Sequence, residues 1–228
     1  VHVVDLSVGE QLSTLDEVFY THTELPNGKF RVGMTSKAIV KTVADYDVVG
    51  ISSIFTAQTR AVEETITAIR NAHPTKLIIM GGVNARSQAK RFLKLGVDLI
   101  CSSEAEQTIV EIGNLLRTNS RDFSSVRGVI FQRDGKVIAT PTAETLIDLD
   151  QLPIPAWDLL PLDLYWKIAR PHGGGFTEGQ HVKYSSMMTS RGCPFSCQYC
   201  HISVEKETDS ITGSIGKFRI KSIGRVLD

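Results

Sequence analysis

The chain has 228 residues, of which 42% are hydrophobic and 22% are charged, as in an ordinary globular protein. Basic and acidic residues balance at 25 each, which argues against a surface built to neutralise nucleic-acid phosphates. No apolar run approaches the roughly 20 residues of a membrane helix, and no export signal opens the chain. We therefore expect a cytoplasmic protein with no membrane span and no nucleic-acid partner.

Strand patterns recur through the first half of the chain. Short β-branched or apolar runs predict strands at 2–6, 47–54, 76–80 and 97–101. The chain begins with a valine that already adjoins the first of these runs. We therefore expect a further strand and helix to precede residue 1 in the parent protein.

Helix patterns fill the intervals between these strands. Apolar residues spaced by three and four predict a helix capped by Thr35 or Ser36, a second ending before Pro74, and a third ending at Gly96. A fourth helix is predicted over 106–116, with Ile109, Ile112 and Leu116 buried. Apolar strands separated by amphipathic helices predict an α/β fold with a doubly wound, flavodoxin-like or Rossmann-like parallel sheet.

The pattern changes after residue 125. Runs at 128–132 and 136–140 flank Asp134-Gly135, a dipeptide typical of tight hairpin turns. Three prolines interrupt regular structure over 146–164, which predicts a packed linker around Trp157. Gly173, Gly174 and Gly175 are expected to be exposed, and 182–188 is predicted to form a strand.

These patterns predict three regions. The α/β domain occupies 1–125, the hairpin and proline-rich linker occupy 126–181, and 182–228 begins another domain. Only 46 residues (228 − 183 + 1) follow the start of that last strand.

Three of the four cysteines lie within eight residues of one another. Cys193, Cys197 and Cys200 have the spacing C-x3-C-x2-C, whereas Cys101 stands alone in an apolar run. Three thiols on one short loop favour metal binding over disulfides, and thiolate sulfur suits iron–sulfur clusters. Cys101 is expected to behave as a small buried hydrophobic residue.

Three other interpretations of the cysteines remain open. Zinc could take His201 as a fourth ligand, although His201 adjoins Cys200 while zinc ligand pairs are usually spaced by two to four residues. C-x-x-C-H also fits haem attachment, and two of the thiols could form a redox pair. The last two alternatives leave a third cysteine without a role.

The cysteine segment resembles the radical S-adenosylmethionine (SAM) superfamily. The resemblance rests on the three cysteines, the aromatic residue before the last one, and the preceding Thr189-Ser190-Arg191-Gly192. The α/β half, with its Gly-Gly after a strand, is similar to the cobalamin (B12)-binding domain that precedes the radical SAM domain in a large subgroup. The Leu- and Pro-rich stretch 152–161 is similar to the linker of those proteins.

This resemblance implies a set of cofactors. Cys193, Cys197 and Cys200 would ligate three irons of a 4Fe–4S cluster, and SAM would bind the fourth iron and be cleaved reductively to a 5′-deoxyadenosyl radical. Tyr199 would pack near the SAM adenine, or else serve as a structural aromatic beneath the loop. Arg191 would brace the loop as a solvated charge, without a catalytic role. Residues 182–228 would hold the first strand and cluster loop of a partial (β/α) barrel.

The resemblance also implies a cobalamin site at the carboxyl ends of the sheet strands. Ser52, Gly81 and Gly82 would line the groove for the nucleotide tail, with Glu104 as a further contact. Relatives commonly have Gly-Glu-Gly-Glu where this chain has Ser103-Glu104-Ala105-Glu106, which puts close backbone contact with the cofactor in doubt. Each feature also has a simpler interpretation: a helix cap, a turn, or acidic residues that favour a helix N-terminus.

The function implied is that of the N-terminal portion of a cobalamin-dependent radical SAM enzyme that acts as a C-methyltransferase, whose isolated fragment is expected to be inactive. A small-molecule, natural-product or lipid-type substrate and an electron donor such as a flavodoxin or ferredoxin would be its partners. Two alternatives remain. The α/β domain could have lost cobalamin binding, or the chain could be a non-enzymatic module that binds cobalamin or a cluster.

Overall fold

A computed structural model describes residues 1–25, 28–168, 183–207 and 211–228. It forms two compact units: Val1–Thr42 with Pro153–Met188, and Val43–Leu152 with Thr189–Asp228. The hairpin and the cysteine segment therefore group with the sheet, across the boundaries predicted at 125 and 181. Among the described residues, every helix is too short or too polar to cross a membrane.

The elements follow one another in chain order. The strands are β1 (His22–Glu24), β2 (Phe30–Val32), β3 (Val48–Ser52), β4 (Leu77–Gly81), β5 (Leu99–Cys101), β6 (Val129–Arg133), β7 (Lys136–Ala139), β8 (Ser190–Arg191) and β9 (Arg219–Ile220). The helices are α1 (Ser36–Thr42), α2 (Thr59–Ala72), α3 (Val83–Ser87), α4 (Ala89–Lys94), α5 (Glu106–Arg117), α6 (Leu162–Ile168), α7 (His201–Val204) and α8 (Ile223–Leu227).

The first unit contains the β1–β2 hairpin, α1 and α6. The predicted cap is confirmed, because Thr35 Oγ1 accepts a hydrogen bond from the Ala38 amide at 3.2 Å. The strand predicted at 2–6 is wrong: this stretch forms only an isolated bridge between Asp5 and Gly9. The linker is more regular than predicted, since α6 begins directly after Pro161, a residue compatible with the start of a helix.

A mixed sheet forms the centre of the second unit. Its strand order is β3-β4-β5-β6-β7 among the described residues. Strands β3, β4 and β5 are parallel, whereas the hairpin β6–β7 joins β5 antiparallel. Asp134 and Gly135 both have positive φ, at 51° and 75°, as the predicted tight turn requires. The α/β fold is thus confirmed, and the antiparallel edge is the addition to it.

Helices cover both faces of this sheet. Leu77, Ile79 and Leu99 belong to one buried cluster that also contains Ile112 of α5. The alternate residues of β4, Ile78 and Met80, are equally buried and face the opposite side of the sheet. The right-handedness of parallel crossovers predicts that α2 and α4 lie on that face. The predicted burial of Ile109 on α5 is wrong, because its side chain is 47% exposed.

The cysteine segment is a short ribbon that carries a loop. Strands β8 and β9 pair antiparallel through Ser190 with Ile220 and Arg191 with Arg219. The strand predicted at 182–188 is wrong for 183–188, which have no regular structure. Val182 and the three consecutive glycines of 173–175 lie outside the described residues.

Candidate functional site

Small and polar residues collect where β3 and β4 end. Ser52 is exposed at the end of β3, and the next residue, Ser53, is buried. A Cβ on Gly81, at the end of β4, would meet nothing within 4 Å. Ile54 and Phe55 follow β3 and are exposed apolar side chains. This edge therefore offers an open surface with both hydroxyl and apolar character.

Gly82 has a structural role that the sequence did not reveal. Its φ is +100°, and a Cβ there would overlap the carbonyl oxygen of Ser53. The backbone amide of Asn84 donates to that same carbonyl at 3.2 Å, and the side-chain Nδ2 of Asn84 donates to Ser53 Oγ at 2.9 Å. Gly82 therefore lets the end of β4 pack directly against the end of β3.

A third polar residue at this edge escaped sequence analysis. Ser102 follows β5 and is 1% exposed, and its Oγ has no hydrogen-bond partner among the described residues. A buried hydroxyl without a partner is costly and indicates a missing polar ligand or water. The available signal was a Ser-Ser pair at the end of both strands: Ser52-Ser53 closes β3, and Ser102-Ser103 follows β5.

The three predicted metal ligands lie on the loop between β8 and α7. Cys193, Cys197 and Cys200 are half-buried free thiols. The Cys193 amide donates to the Gly216 carbonyl at 3.2 Å, and the Cys200 amide donates to the Cys197 carbonyl at 3.1 Å. Tyr199 is 94% exposed and therefore does not pack beneath the loop in this structure.

The donor set of this loop suits a soft metal centre. Three free thiols on one short segment fit an iron–sulfur cluster chemically. The described residues do not gather three potential metal-binding side chains in one place. The assignment of these cysteines as cluster ligands therefore stays a prediction.

Cys101 differs from the loop cysteines in its surroundings. It is buried in the sheet core, and this burial raises the pKa of its thiol to about 11. At neutral pH the thiol is therefore protonated, and a thiolate is the form that binds metal. The buried position agrees with the predicted role of a small hydrophobic side chain.

Glu104 connects the sheet to the ribbon of the cysteine segment. Its Oε1 accepts from Arg219 Nη2 at 2.7 Å, and its Oε2 accepts from Arg219 Nη1 at 2.9 Å. The Arg219 side chain is 5% exposed and that of Glu104 is 16% exposed. Both carboxylate oxygens of Glu104 are bonded to Arg219 in this structure. Contact of Glu104 with cobalamin stays a prediction.

Three further ion pairs join the same regions. Arg191 bonds to Glu106 and lies 3.3 Å from Glu104, so it is an ion-paired residue between loop and sheet and not the solvated charge expected from the sequence. Burial by itself raises the pKa of Glu106, but the hydrogen bonds from Arg191 and the backbone, together with the charges of Arg191 and Arg219, outweigh burial and lower it. Arg86, shortly after β4, forms an ion pair with Glu205, shortly after α7.

Residues 17–113 match the family model of the B12 binding domain. The chain is 29% identical over 166 residues to an uncharacterized methyltransferase of Pyrococcus horikoshii, covering 71% of this chain and 32% of the relative. It is 29% identical over 194 residues to the cytidylyl-2-hydroxyethylphosphonate methyltransferase of Streptomyces wedmorensis, covering 75% and 36%. The chain thus spans about a third of the length of these relatives.

A solved structure has the same fold. The cobalamin-dependent S-adenosylmethionine radical enzyme OxsB with aqua-cobalamin bound matches with a TM-score of 0.64 and 22% identity, over 86% of this chain and 24% of that one. Together the comparisons confirm the resemblance read from the sequence: residues 17–113 match the B12 binding domain, the chain is similar to part of two methyltransferases, and its fold resembles that of a cobalamin-dependent radical SAM enzyme.

Proposed function

We propose that this chain is the cofactor-binding part of a cobalamin-dependent radical SAM methyltransferase that acts on carbon. The observation that carries the proposal is the fold of the second unit. The cysteine loop and the carboxyl ends of β3, β4 and β5 belong to one compact unit, joined by Glu104 and Arg219. Two cofactor sites in one unit are what methyl transfer between them requires.

The bound cofactors would supply the chemistry that side chains lack. With one electron from a donor such as a flavodoxin or ferredoxin, the cluster would cleave SAM into methionine and a 5′-deoxyadenosyl radical, which would take a hydrogen atom from the acceptor carbon. Cobalamin would carry a methyl group supplied by a second SAM molecule. A small-molecule, natural-product or lipid-type acceptor would receive that group.

The residues at the sheet edge fit a large ligand with a polar tail. Gly81 leaves open space above the end of β4, while Ser52 and the buried Ser102 hydroxyl offer hydrogen bonds. Ligands of open α/β sheets bind beyond the carboxyl ends of strands. We assign the groove for the nucleotide tail to Ser52, Gly81 and Gly82, with Ser102 as a further polar contact.

The residues of the loop would bind the cluster and SAM. Cys193, Cys197 and Cys200 would each give one thiolate to iron and leave the fourth iron for SAM. Tyr199, which is exposed in this structure, would lie against the adenine of SAM. Aromatic faces of this kind stack readily on a base.

Anaerobic reconstitution with iron and sulfide tests the cluster. The wild-type chain should gain iron, an iron–sulfur absorption band and an electron paramagnetic resonance signal after reduction. Alanine in place of Cys193, Cys197 or Cys200 should abolish these signals, whereas Cys101→Ala, the matched control, should keep them. Full iron content in Cys197→Ala would contradict the ligand assignment, and one bound zinc in place of iron would support the zinc alternative.

Titration with hydroxocobalamin tests the groove separately. Gly81→Trp should abolish the corrinoid spectrum of the bound form, because the indole fills the space above β4 without a backbone clash. Gly113→Trp on α5, where a Cβ is equally unhindered, should bind like wild type. A cluster without cobalamin binding would favour the alternative in which the α/β domain has lost that cofactor, and unchanged affinity in Gly81→Trp would refute this groove.

A further inference from the structure

The ribbon of β8 and β9 lacks the apolar burial that usually holds an element in place. Among the described residues of 189–221, the buried ones are Gly213, Gly216 and Arg219. Ile220 and Phe218 are both exposed. Specific polar contacts must therefore hold the ribbon against the sheet.

Arg219 is the residue whose polar contacts are complete. Its Nε donates to the Lys217 carbonyl at 3.1 Å, Nη1 donates to the Leu146 carbonyl at 2.7 Å, and Nη2 donates to the Ile215 carbonyl at 3.0 Å. The two bonds to Glu104 use the remaining N–H groups, so all five donors of the guanidinium have acceptors. This arrangement fixes the side chain in one orientation.

Glu104 supplies the negative charge for this buried cation. A planar guanidinium paired with a carboxylate through two parallel bonds is both strong and geometrically specific. The same carboxylate lies 3.3 Å from Arg191, so it contacts both strands of the ribbon. Glu104 itself follows β5 by three residues, at the edge that holds the proposed cobalamin groove.

We propose that Glu104 is a positioning residue that sets where the cysteine loop lies on the carboxyl edge of the sheet. The backbone ties the cysteine loop to the ribbon. Cys193 follows Arg191 by two residues, and the Cys193 backbone amide donates to the carbonyl of Gly216, which precedes β9. That Glu104 thereby sets the distance between the cobalamin groove and the cluster loop rests on the proposed function. The contact between sheet and ribbon does not.

Hydrogen–deuterium exchange of the iron-free chain tests this role. Glu104→Ala should speed exchange in the peptides 189–193 and 216–221 at least about tenfold, because it leaves the buried Arg219 charge unpaired. Protected amides in these peptides include Cys193. The peptides of β4 and β5 should exchange as in wild type. Glu63→Ala, which removes the remote Arg91–Glu63 pair, is the matched control and should leave the ribbon unchanged.

A conservative variant separates charge from bulk. Glu104→Asp keeps a carboxylate and should regain most of the protection that alanine loses. Unchanged exchange of the ribbon in Glu104→Ala would overturn the proposal. So would an equal rise in β4 and β5 together with alkylation of buried Cys101, since Glu104 would then support the whole fold. The exchange experiment uses the iron-free chain, so its result does not depend on cluster assembly. If the wild-type chain failed to assemble a cluster on reconstitution, only the proposed function would be refuted.

Discussion

The sheet and the cysteine segment share one compact unit but are stabilised by different interactions. In β4, four consecutive residues from Leu77 to Met80 are buried, so both faces of the strand are removed from water. In the cysteine segment, residues 189–221, the buried residues among those described are two glycines and Arg219. The sheet therefore depends on apolar area removed from water, whereas the segment depends on a few directed polar contacts.

This difference bears on function. Apolar burial is spread over many side chains, so the sheet forms a stable base whose edge can hold a large cofactor. The segment has few contacts, and each of them ties a particular point of the ribbon to a particular point of the sheet edge. A loop held in this way can order around a metal centre without disturbing the core beneath it.

The same truncation in the two regions should give the largest contrast. Ile78→Ala removes a side chain that is 0% exposed in β4 and should lower the free energy of unfolding by about 2–5 kcal/mol. Ile220→Ala removes one that is 65% exposed in β9 and should change it by less than about 0.5 kcal/mol. Urea denaturation followed by far-ultraviolet circular dichroism measures both. Equal losses would mean that the ribbon carries apolar stabilisation after all.

The regions also differ in how far the sequence predicts them. The alternation of apolar runs and amphipathic helices over residues 35–117 correctly predicts α1, α2, β3, β4, β5 and α5, because burial on two faces leaves a periodic signal. The strand predicted at 2–6 fails since a strand also needs a neighbour to pair with, which local sequence does not report.

A glycine in the loop gives the next contrast. Gly192 has φ +71°, and a Cβ there would overlap the Lys217 carbonyl. Gly192→Ala should therefore cost about 1–3 kcal/mol locally and speed exchange in 189–193 and 216–221. Gly135→Ala has the same φ problem, at +75°, but open space around it, so it should affect only the hairpin turn. If both variants leave the ribbon amides equally protected, the backbone contact at Gly192 is unimportant.

Contacts at the site were harder to predict than the elements that carry it. The sequence identifies Glu104 and Arg191 as charged residues, but Arg219 pairs with Glu104 across 115 positions of the chain. No local pattern reports a partner at that distance. Ser102 escaped notice for a related reason: a serine after a strand is common, and only the burial of its hydroxyl makes it informative.

An exposed ion pair in the sheet region provides the smallest expected effect. Asp122 accepts hydrogen bonds from the Ser124 hydroxyl at 2.7 Å and amide at 3.1 Å, and from Arg133. These bonds, chiefly those from Ser124, lower the pKa of Asp122 to about 2. Both side chains of the pair with Arg133 are largely exposed, in contrast to Arg219 and Glu104.

The sign of the pH dependence follows from the lowered pKa. A carboxyl whose pKa is lower in the folded chain adds stability at neutral pH, and this contribution disappears as the pH falls towards 2. Ser124→Ala and Arg133→Ala should therefore each raise the pKa of Asp122, as measured by carboxyl ¹³C chemical shifts. Arg133→Ala should leave the Tm at pH 7 essentially unchanged, because exposed ion pairs contribute little. A clear drop in Tm would show that exposed charge pairs also stabilise the sheet region. Polar contacts would then be common to both regions, and only the pairing of Glu104 with Arg191 and Arg219 would distinguish the cysteine segment.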